Sequence, residues 1–290
     1  MKRSLWLAGL AALWVVQVAA AAEGAGSVGN PNWSPDGQWI AFTGNRFGDY
    51  GIYLVHPDGS GLHRLDTGEL VARWPSWSPD STRIAFAGAT DPDATPDIYT
   101  VRLDGSDVVQ VTHGGQYGGL VAWSPDGARL AYYTRVEGQW NVFVVPATGG
   151  EATRVTTGDG DYTVTSWSRD GRRLLVGGKR DGNQDVYILD EQGHIQQRLT
   201  DTPYPESAPR WSPDGSQISF EAKADGDWDI FVAKADGTEV RKLTDNDTFD
   251  AMTTWSPDGQ WIAHECKDAG RPDICIVKTD GSEHHILEPK

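Results

Sequence analysis

Short apolar runs alternate with polar turns along the chain, and this alternation repeats with a period of about 44 residues. Each period contains a Trp-Ser-Pro-Asp-Gly-like turn, an Ile-Ala-Phe-like run, an Ile-Tyr-like run, an Asp-Gly turn and a closing Leu-Thr pair. Apolar runs bounded by such turn residues indicate β-strands. Four strands in a period of this length are typical of one blade of a β-propeller.

Six tryptophans mark the periods at steps of 44, 46, 44, 44 and 44 residues. They are Trp33, Trp77, Trp123, Trp167, Trp211 and Trp255. The sequence therefore predicts an all-β, six-bladed propeller with four antiparallel strands per blade, each Trp packing between adjacent blades. We expect the blades at about residues 28–67, 71–112, 117–157, 161–200, 205–244 and 249–288.

The first and last periods are in phase with the others, because Leu65 and Leu287 each follow their tryptophan by 32 residues. We therefore expect blade six to close the ring by packing on blade one, without an exchanged strand. Trp39 and Trp261 occupy the same strand position in these two blades. They are either reinforcements of that closure or surface residues.

The N-terminus has the pattern of a secretory signal peptide. Lys2 and Arg3 precede an apolar run from Leu5 to Val18, and Ala20 and Ala22 form an A-x-A site. We expect cleavage after Ala22, which makes residues 1–22 the signal peptide and residues 23–290 a single propeller. The product is expected in the periplasm or outside the cell, without membrane insertion, because no later apolar run is long enough to span a bilayer.

The chain is strongly acidic, with a formal net charge of -16. Removing residues 1–22 lowers the basic residues from 25 to 23 against 41 acidic ones, which gives -18. This charge argues against a nucleic-acid partner, because binding phosphates requires clustered Lys and Arg. It serves either solubility or an acidic binding face.

The two cysteines, Cys266 and Cys275, both lie in the last period. An oxidising compartment favours a disulfide between them. They fall in the second and third runs of blade six, so an antiparallel hairpin is expected to bring them opposite one another.

Candidate binding residues lie in the longer connections, which share one face of a propeller and commonly carry function. The connections between blades present an aromatic and acidic set: Arg73, Tyr117, Asp161, Tyr162, Tyr204, Glu206, Asp247, Phe249 and Asp250. The connections between second and third strands add further residues to this rim: Arg46, Phe47, Tyr50, Glu137, Trp140 and Trp228. Tyr and Arg dominate protein-binding hot spots, so this rim suits protein or peptide contact.

Cation and enzyme chemistry have weaker support. Asp225, Asp227 and Asp229 have the spacing of an EF-hand loop, but Ile230 and Asp236 stand where that loop requires Gly and Glu. A calcium ion at Asp245, Asp247 and Asp250 is a weaker alternative, and otherwise no cofactor, metal or catalytic residue is expected. The sequence contains no Gly-x-Ser-x-Gly motif. The alternative to a binding scaffold is a propeller that binds or cleaves a small molecule or saccharide near its central channel.

The repeat resembles the propeller of the TolB family. The resemblance rests on blade five, where Pro209 to Gly215 is followed by Ile218 to Phe220, Asp229 to Phe231, Asp236-Gly237 and Leu243-Thr244, and it extends over residues 28–288. Propellers of prolyl oligopeptidases, tricorn-like proteases and oligogalacturonate lyases are built from similar units.

The resemblance implies a non-catalytic periplasmic scaffold of the Tol-Pal system, which binds a Pal-like lipoprotein or another envelope protein through one face. The α/β domain and mobile segment found at the N-terminus of TolB are not expected here, because Glu23 to Pro31 is too short for either. We further expect a monomer.

Overall fold

The computed structural model describes residues 26–290 except 116–117, 158–159, 181 and 269. These residues form six sheets, each built from four consecutive antiparallel strands. The prediction of a six-bladed propeller is confirmed, and in the described part of the chain no strand is exchanged between the first and last blades. The predicted signal peptide at residues 1–22 lies outside the described residues. Within them, no helix is long and apolar enough to cross a membrane.

The strands follow the sequence blade by blade. Blades one to three comprise β1 (Val28–Trp33), β2 (Ile40–Gly44), β3 (Gly51–Val55), β4 (His63–Arg64), β5 (Val71–Trp77), β6 (Arg83–Ala89), β7 (Asp97–Arg102), β8 (Val109–Gln110), β9 (Ala122–Trp123), β10 (Arg129–Val136), β11 (Gln139–Pro146) and β12 (Thr153–Arg154). Blades four to six comprise β13 (Asp161–Trp167), β14 (Arg173–Arg180), β15 (Asn183–Asp190), β16 (Ile195–Arg198), β17 (Glu206–Trp211), β18 (Gln217–Ala222), β19 (Asp229–Lys234), β20 (Arg241–Lys242), β21 (Ala251–Trp255), β22 (Trp261–Asp268), β23 (Arg271–Lys278) and β24 (His284–Ile286).

The Ser-Pro-Asp-Gly segment makes the turn between the first two strands of a blade. In blade one the Ser34 hydroxyl donates to Asp36 Oδ1 over 2.6 Å and accepts the Trp39 N–H over 2.9 Å. Gly37 has a φ of 76°, which glycine adopts without a steric penalty. The same Ser-to-Asp bond measures 2.5–2.6 Å in all six blades. The recurring sequence is thus explained by a local network of hydrogen bonds.

The threonine of the closing Leu-Thr pair forms hydrogen bonds with the start of the third strand of its blade. In blade five, Thr244 Oγ1 donates to Asp229 Oδ1 over 3.3 Å and accepts the Ile230 N–H over 3.0 Å. Blade two repeats this arrangement with Thr112 and Asp97. The acidic residue at the start of the third strand therefore has a structural role.

The hydrophobic core lies between the blades. Leu54 of blade one, for example, packs in one cluster with Trp77 and Ile84 of blade two. Trp39 contacts this same cluster and stacks on His56 at 3.8 Å, whereas Trp261 packs against the cluster shared by blades six and one. Of these two tryptophans, Trp261 therefore lies at the blade six to blade one contact, whereas Trp39 lies at the contact of blades one and two.

Blade six closes the ring on blade one through polar bonds as well as apolar packing. Arg46 donates from Nη1 to both carboxylate oxygens of Asp273 over 2.9 Å. The Trp33 N–H donates to Thr254 Oγ1 over 3.1 Å, and the Lys290 N–H donates to the Gly59 carbonyl over 2.7 Å. We call this blade six to blade one interface the closure.

Cys266 and Cys275 are joined by a disulfide, and their Cα atoms lie 5.8 Å apart. They are not opposite one another in the β22–β23 ladder, because His264 pairs with Cys275 and Cys266 pairs with Asp273. The bond therefore runs diagonally across one face of the sheet. Sequence spacing alone does not determine this register.

Candidate functional site

The connections of the propeller divide into two faces because successive antiparallel strands run in opposite directions. The turn face carries the connections between first and second strands and between third and fourth strands. The loop face carries the connections between second and third strands and those between blades. The turn-face Ser-Asp networks recur in every blade, so variation between blades is concentrated on the loop face.

The loop between β2 and β3 of blade one presents two aromatic side chains to solvent. Phe47 and Tyr50 are each 37% exposed. The Tyr53 hydroxyl donates to the Asp49 carbonyl over 2.8 Å, and Phe47 lies edge-on to the rings of Phe42 and Tyr53. The exposed rings are therefore held on a supported loop.

Arg73 of blade two completes this surface. Its guanidinium lies 5.6 Å from the centroid of the Tyr50 ring and donates to the Pro92 carbonyl over 3.1 Å. A groove of about 500 Å³ runs between the two blades here, with Arg64 and Glu69 also in its lining. We define Phe47, Tyr50 and Arg73 as the aromatic-arginine patch.

A second group of charged side chains lies on the loop face of blade five. Lys242 Nζ lies 3.1 Å from Asp225, 3.0 Å from Asp229 and 2.7 Å from Asp245. These carboxylates raise the pKa of Lys242, whose ammonium supplies a positive charge at their centre. Asp225 and Asp245 remain largely exposed, which gives the surface an acidic character.

The structure does not favour the calcium site considered at Asp245, Asp247 and Asp250. Asp245 is paired with Lys242, Asp247 is exposed, and Asp250 is fully buried and accepts a bond from Asn246 over 2.7 Å. Among the described residues, these three carboxylates do not gather within the distances that one ion requires.

The candidate binding residues separate by exposure. Asp247 is exposed, and Arg73, Asp161, Tyr204 and Phe249 are partly buried. Asp161 accepts the Trp140 N–H over 2.7 Å, and the Phe249 ring lies 5.7 Å from Lys267 Nζ. Tyr117 lies outside the described residues. Of the five placed on the surface, only Arg73 belongs to the aromatic-arginine patch.

Three further candidates are interior residues, contrary to the expected surface rim. Tyr162 is 6% exposed and packs edge-on against Tyr187, and Glu206 and Asp250 are fully buried. Burial raises the pKa of Glu206, and it raises that of Asp250 to about 6. They enter the interior because each stands where the chain begins an inner strand between two blades.

Part of the aromatic-arginine patch is visible in the sequence. Within the five residues from Arg46 to Tyr50, a short polar connection carries one arginine and two aromatic residues. Arg46 itself forms an ion pair with Asp273, whereas the Phe47 and Tyr50 rings remain partly exposed to solvent. Only the fold shows that Arg73 joins them from the next blade.

Comparison with known proteins places the chain in a family. The family described as the TolB beta propeller domain matches residues 4–121 and 194–288. A curated Tol-Pal system protein TolB from Syntrophus aciditrophicus is 47% identical over 36 residues, which cover 12% of this chain and 8% of that protein.

Two solved structures have the same fold. A putative TolB from Agrobacterium tumefaciens is 25% identical with a TM-score of 0.69, covering 78% of this chain and 84% of the other. TolB from Acinetobacter baumannii is 20% identical with a TM-score of 0.72, covering 89% of this chain and 62% of the other.

Proposed function

The chain belongs to the TolB β-propeller family, and from this membership and the geometry of its loop face we propose that it is a non-catalytic periplasmic binding scaffold. Its partner is an envelope protein, and a Pal-like lipoprotein is the first candidate because the curated relative is a Tol-Pal system protein. The aromatic-arginine patch is the proposed centre of the interface.

The exposure of Phe47 and Tyr50, with Arg73 lying over the Tyr50 ring, is the observation that carries this proposal. Large exposed hydrophobic side chains among the described residues are Phe47, Tyr50, Val108 and Val240. The two valines lie beside short outer strands, away from the groove. Aromatic and arginine side chains at the edge of a groove are the residue types that dominate binding energy in protein interfaces.

The compartment is proposed from two independent features. The predicted signal peptide at residues 1–22 directs export, and the Cys266–Cys275 disulfide suits an oxidising compartment. The exposed carboxylates around Lys242 extend the acidic character of the loop face. Such a surface accelerates association with a partner that presents a basic patch.

The direct test is the affinity of the protein for the soluble domain of a Pal-like lipoprotein, measured by titration calorimetry. Tyr50 has a partly exposed ring that does not belong to the blade core. If it is a binding hot spot worth about 2 kcal/mol, Tyr50→Ala should raise Kd about 30-fold. Val240→Ala is the matched control, because Val240 is 51% exposed and lies outside the patch.

The possible outcomes distinguish a wrong binding face from a wrong class of partner. Equal Kd values for the Tyr50→Ala variant, the Val240→Ala variant and the unsubstituted protein would place the interface elsewhere. No binding by the unsubstituted protein would reject this partner class. Thermal unfolding of both variants should stay within about 3 °C of the unsubstituted protein, since surface substitutions change stability by about 0.5 kcal/mol or less.

A further inference from the structure

Blade six carries two histidines and the disulfide on one side of its sheet. His264 pairs with Cys275 between β22 and β23, and His284 pairs with Val277 between β23 and β24. Since side chains alternate along a strand, His264, Cys275 and His284 point to the same side of the sheet. This side faces blade five, where Val277 packs with Val232.

The donor atoms of these three side chains converge. One nitrogen of each histidine and the Cys275 sulfur all lie within 4.8 Å of one another, and the two Nε2 atoms are 3.3 Å apart. Zinc–nitrogen bonds of about 2.0–2.1 Å at a tetrahedral angle place two nitrogens about 3.3–3.4 Å apart. The two imidazoles thus already have the spacing of one edge of a zinc tetrahedron.

The surroundings of His264 favour an unprotonated Nε2, which accepts the hydrogen bond from His284 Nε2 and can instead bind a metal ion. His264 Nδ1 lies 3.1 Å from the Glu265 carbonyl oxygen and 3.5 Å from Asp250 Oδ1. Both neighbours are acceptors, so Nδ1 carries the proton and Nε2 is left unprotonated. Asp250 is fully buried, and its Oδ1 has no hydrogen-bond partner among the described residues. A carboxylate behind the far nitrogen of a histidine is the usual support of a metal ligand.

The disulfide decides whether a third ligand is present. A sulfur in a disulfide is not a thiolate, and the thiolate is the form that binds metal. Cys266, the diagonal neighbour of Cys275, lies on the same side of the sheet and offers a fourth donor once the bond is opened. Two cysteines and two histidines are a common ligand set of structural zinc.

We propose that His264, His284, Cys275 and Cys266 form a Zn²⁺ site. The site cannot bind the ion while the disulfide is intact, and it binds the ion after the disulfide is reduced. A dithiol supplies two electrons and two protons, becoming a disulfide itself, and leaves two thiols on blade six. Zinc then displaces the two thiol protons. His284, an exposed residue on the outer strand, gives the ion a path to the site.

The test compares zinc affinity in the two redox states of the whole chain. Protein is unfolded and refolded with an excess phosphine, which becomes its oxide, and a count of two thiols per chain verifies reduction. Zinc chloride is titrated anaerobically against a chromophoric chelator. We expect one zinc per reduced chain, bound at least 100-fold more tightly than by the oxidised chain, and a thiolate charge-transfer band when Co²⁺ replaces zinc.

His284→Ala and His285→Ala form a matched pair. His285 is the next residue on the same exposed strand, but it points to the other side, edge-on to Trp261. In the reduced protein, His284→Ala should weaken zinc binding at least 10-fold and His285→Ala should leave it unchanged. Zinc should also raise the unfolding temperature of the reduced chain, which binding to an unfolded chain would not do.

Four results would each overturn the proposal. They are absence of zinc binding by folded, reduced protein, equal zinc affinity in the two redox states, equal affinity of the two histidine variants, and zinc binding without a rise in the unfolding temperature.

Discussion

At the scale of single residues, the repeated tryptophans do not all contribute in the same way. Trp77 is 5% exposed and donates from its indole N–H to the Asn32 carbonyl of the preceding blade over 2.9 Å. Trp123 and Trp167 make the equivalent bond over 3.0 and 3.2 Å. Trp33 packs at the closure, where its buried indole N–H has no partner among the described residues.

Replacing these rings by phenylalanine separates the hydrogen bond from the packing. Trp77→Phe should lower the free energy of unfolding by about 1–3 kcal/mol, because it removes apolar area and leaves the Asn32 carbonyl unpaired. Trp33→Phe should cost less, since no hydrogen bond is lost. Urea unfolding of both variants measures the difference, and a larger loss for Trp33→Phe would contradict this assignment.

Sequence patterning predicts the residues that repeat far better than those that vary. The tryptophan steps and the turn residues predicted the strand count, because each period restates the same local chemistry. The exposure of Tyr162 against that of Tyr50 was not predictable in this way. The sequence places both tyrosines at the loop face, and only the packing of one blade on the next decides which ring is covered.

At the scale of elements, the inner strands are bulged and depend on the preceding blade. Asn30, Trp74 and Met252 stand three residues before their tryptophans with φ of 55–56°, where the register shifts. The Met252 N–H donates to Glu221 of blade five over 2.5 Å. The Asn30 N–H donates to Glu265 of blade six in the same way.

Glu265 makes the stability of the closure dependent on pH. It is 7% exposed and lies so close to Gly29 that a Cβ there would stand 2.6 Å from its carboxylate. Burial raises its pKa to about 7. Between about pH 4.3 and 7, the folded state therefore binds a proton at Glu265 that the unfolded state has released. The contribution of this proton to stability is complete below that range and is lost as the pH rises through it.

Glu265→Gln should remove this loss while keeping an acceptor for the Asn30 N–H. Between pH 5 and 8, we expect the unsubstituted protein to lose about 2–3 kcal/mol more unfolding free energy than the variant. Glu239→Gln, at an exposed side chain, is the control and should follow the unsubstituted protein. If the unfolding free energy of all three proteins changed with pH in the same way, Glu265 would ionise in the folded state without a loss of stability, contrary to this account.

At the scale of the whole molecule, an ion pair at the closure takes the place of a hydrogen bond that threonine makes in other blades. In blades two and five, the acidic residue at the start of the third strand accepts a bond from a threonine. Blade six has Glu288 after Leu287 instead of threonine, and Asp273 is paired with Arg46 of blade one. Their side chains are 7% and 19% exposed.

Arg46→Met should weaken the closure, because it leaves Asp273 buried without its counter-charge. We expect a loss of about 2–4 kcal/mol in unfolding free energy. Arg102→Met breaks a pair whose side chains are both more than half exposed, and it should cost about 1 kcal/mol or less. Thermal or urea unfolding compares the two variants, and equal losses would mean that the Arg46 pair does not hold the ring.

The binding face of the ring is tested most directly by amide hydrogen exchange, with and without the soluble domain of a Pal-like lipoprotein. Partner binding should slow exchange in residues 45–50 and 68–73, which flank the groove of the aromatic-arginine patch, and leave the Ser-Pro-Asp-Gly turns unchanged. Protection of those turns, with unaltered exchange at residues 45–50, would contradict the assignment of the loop face as the interface.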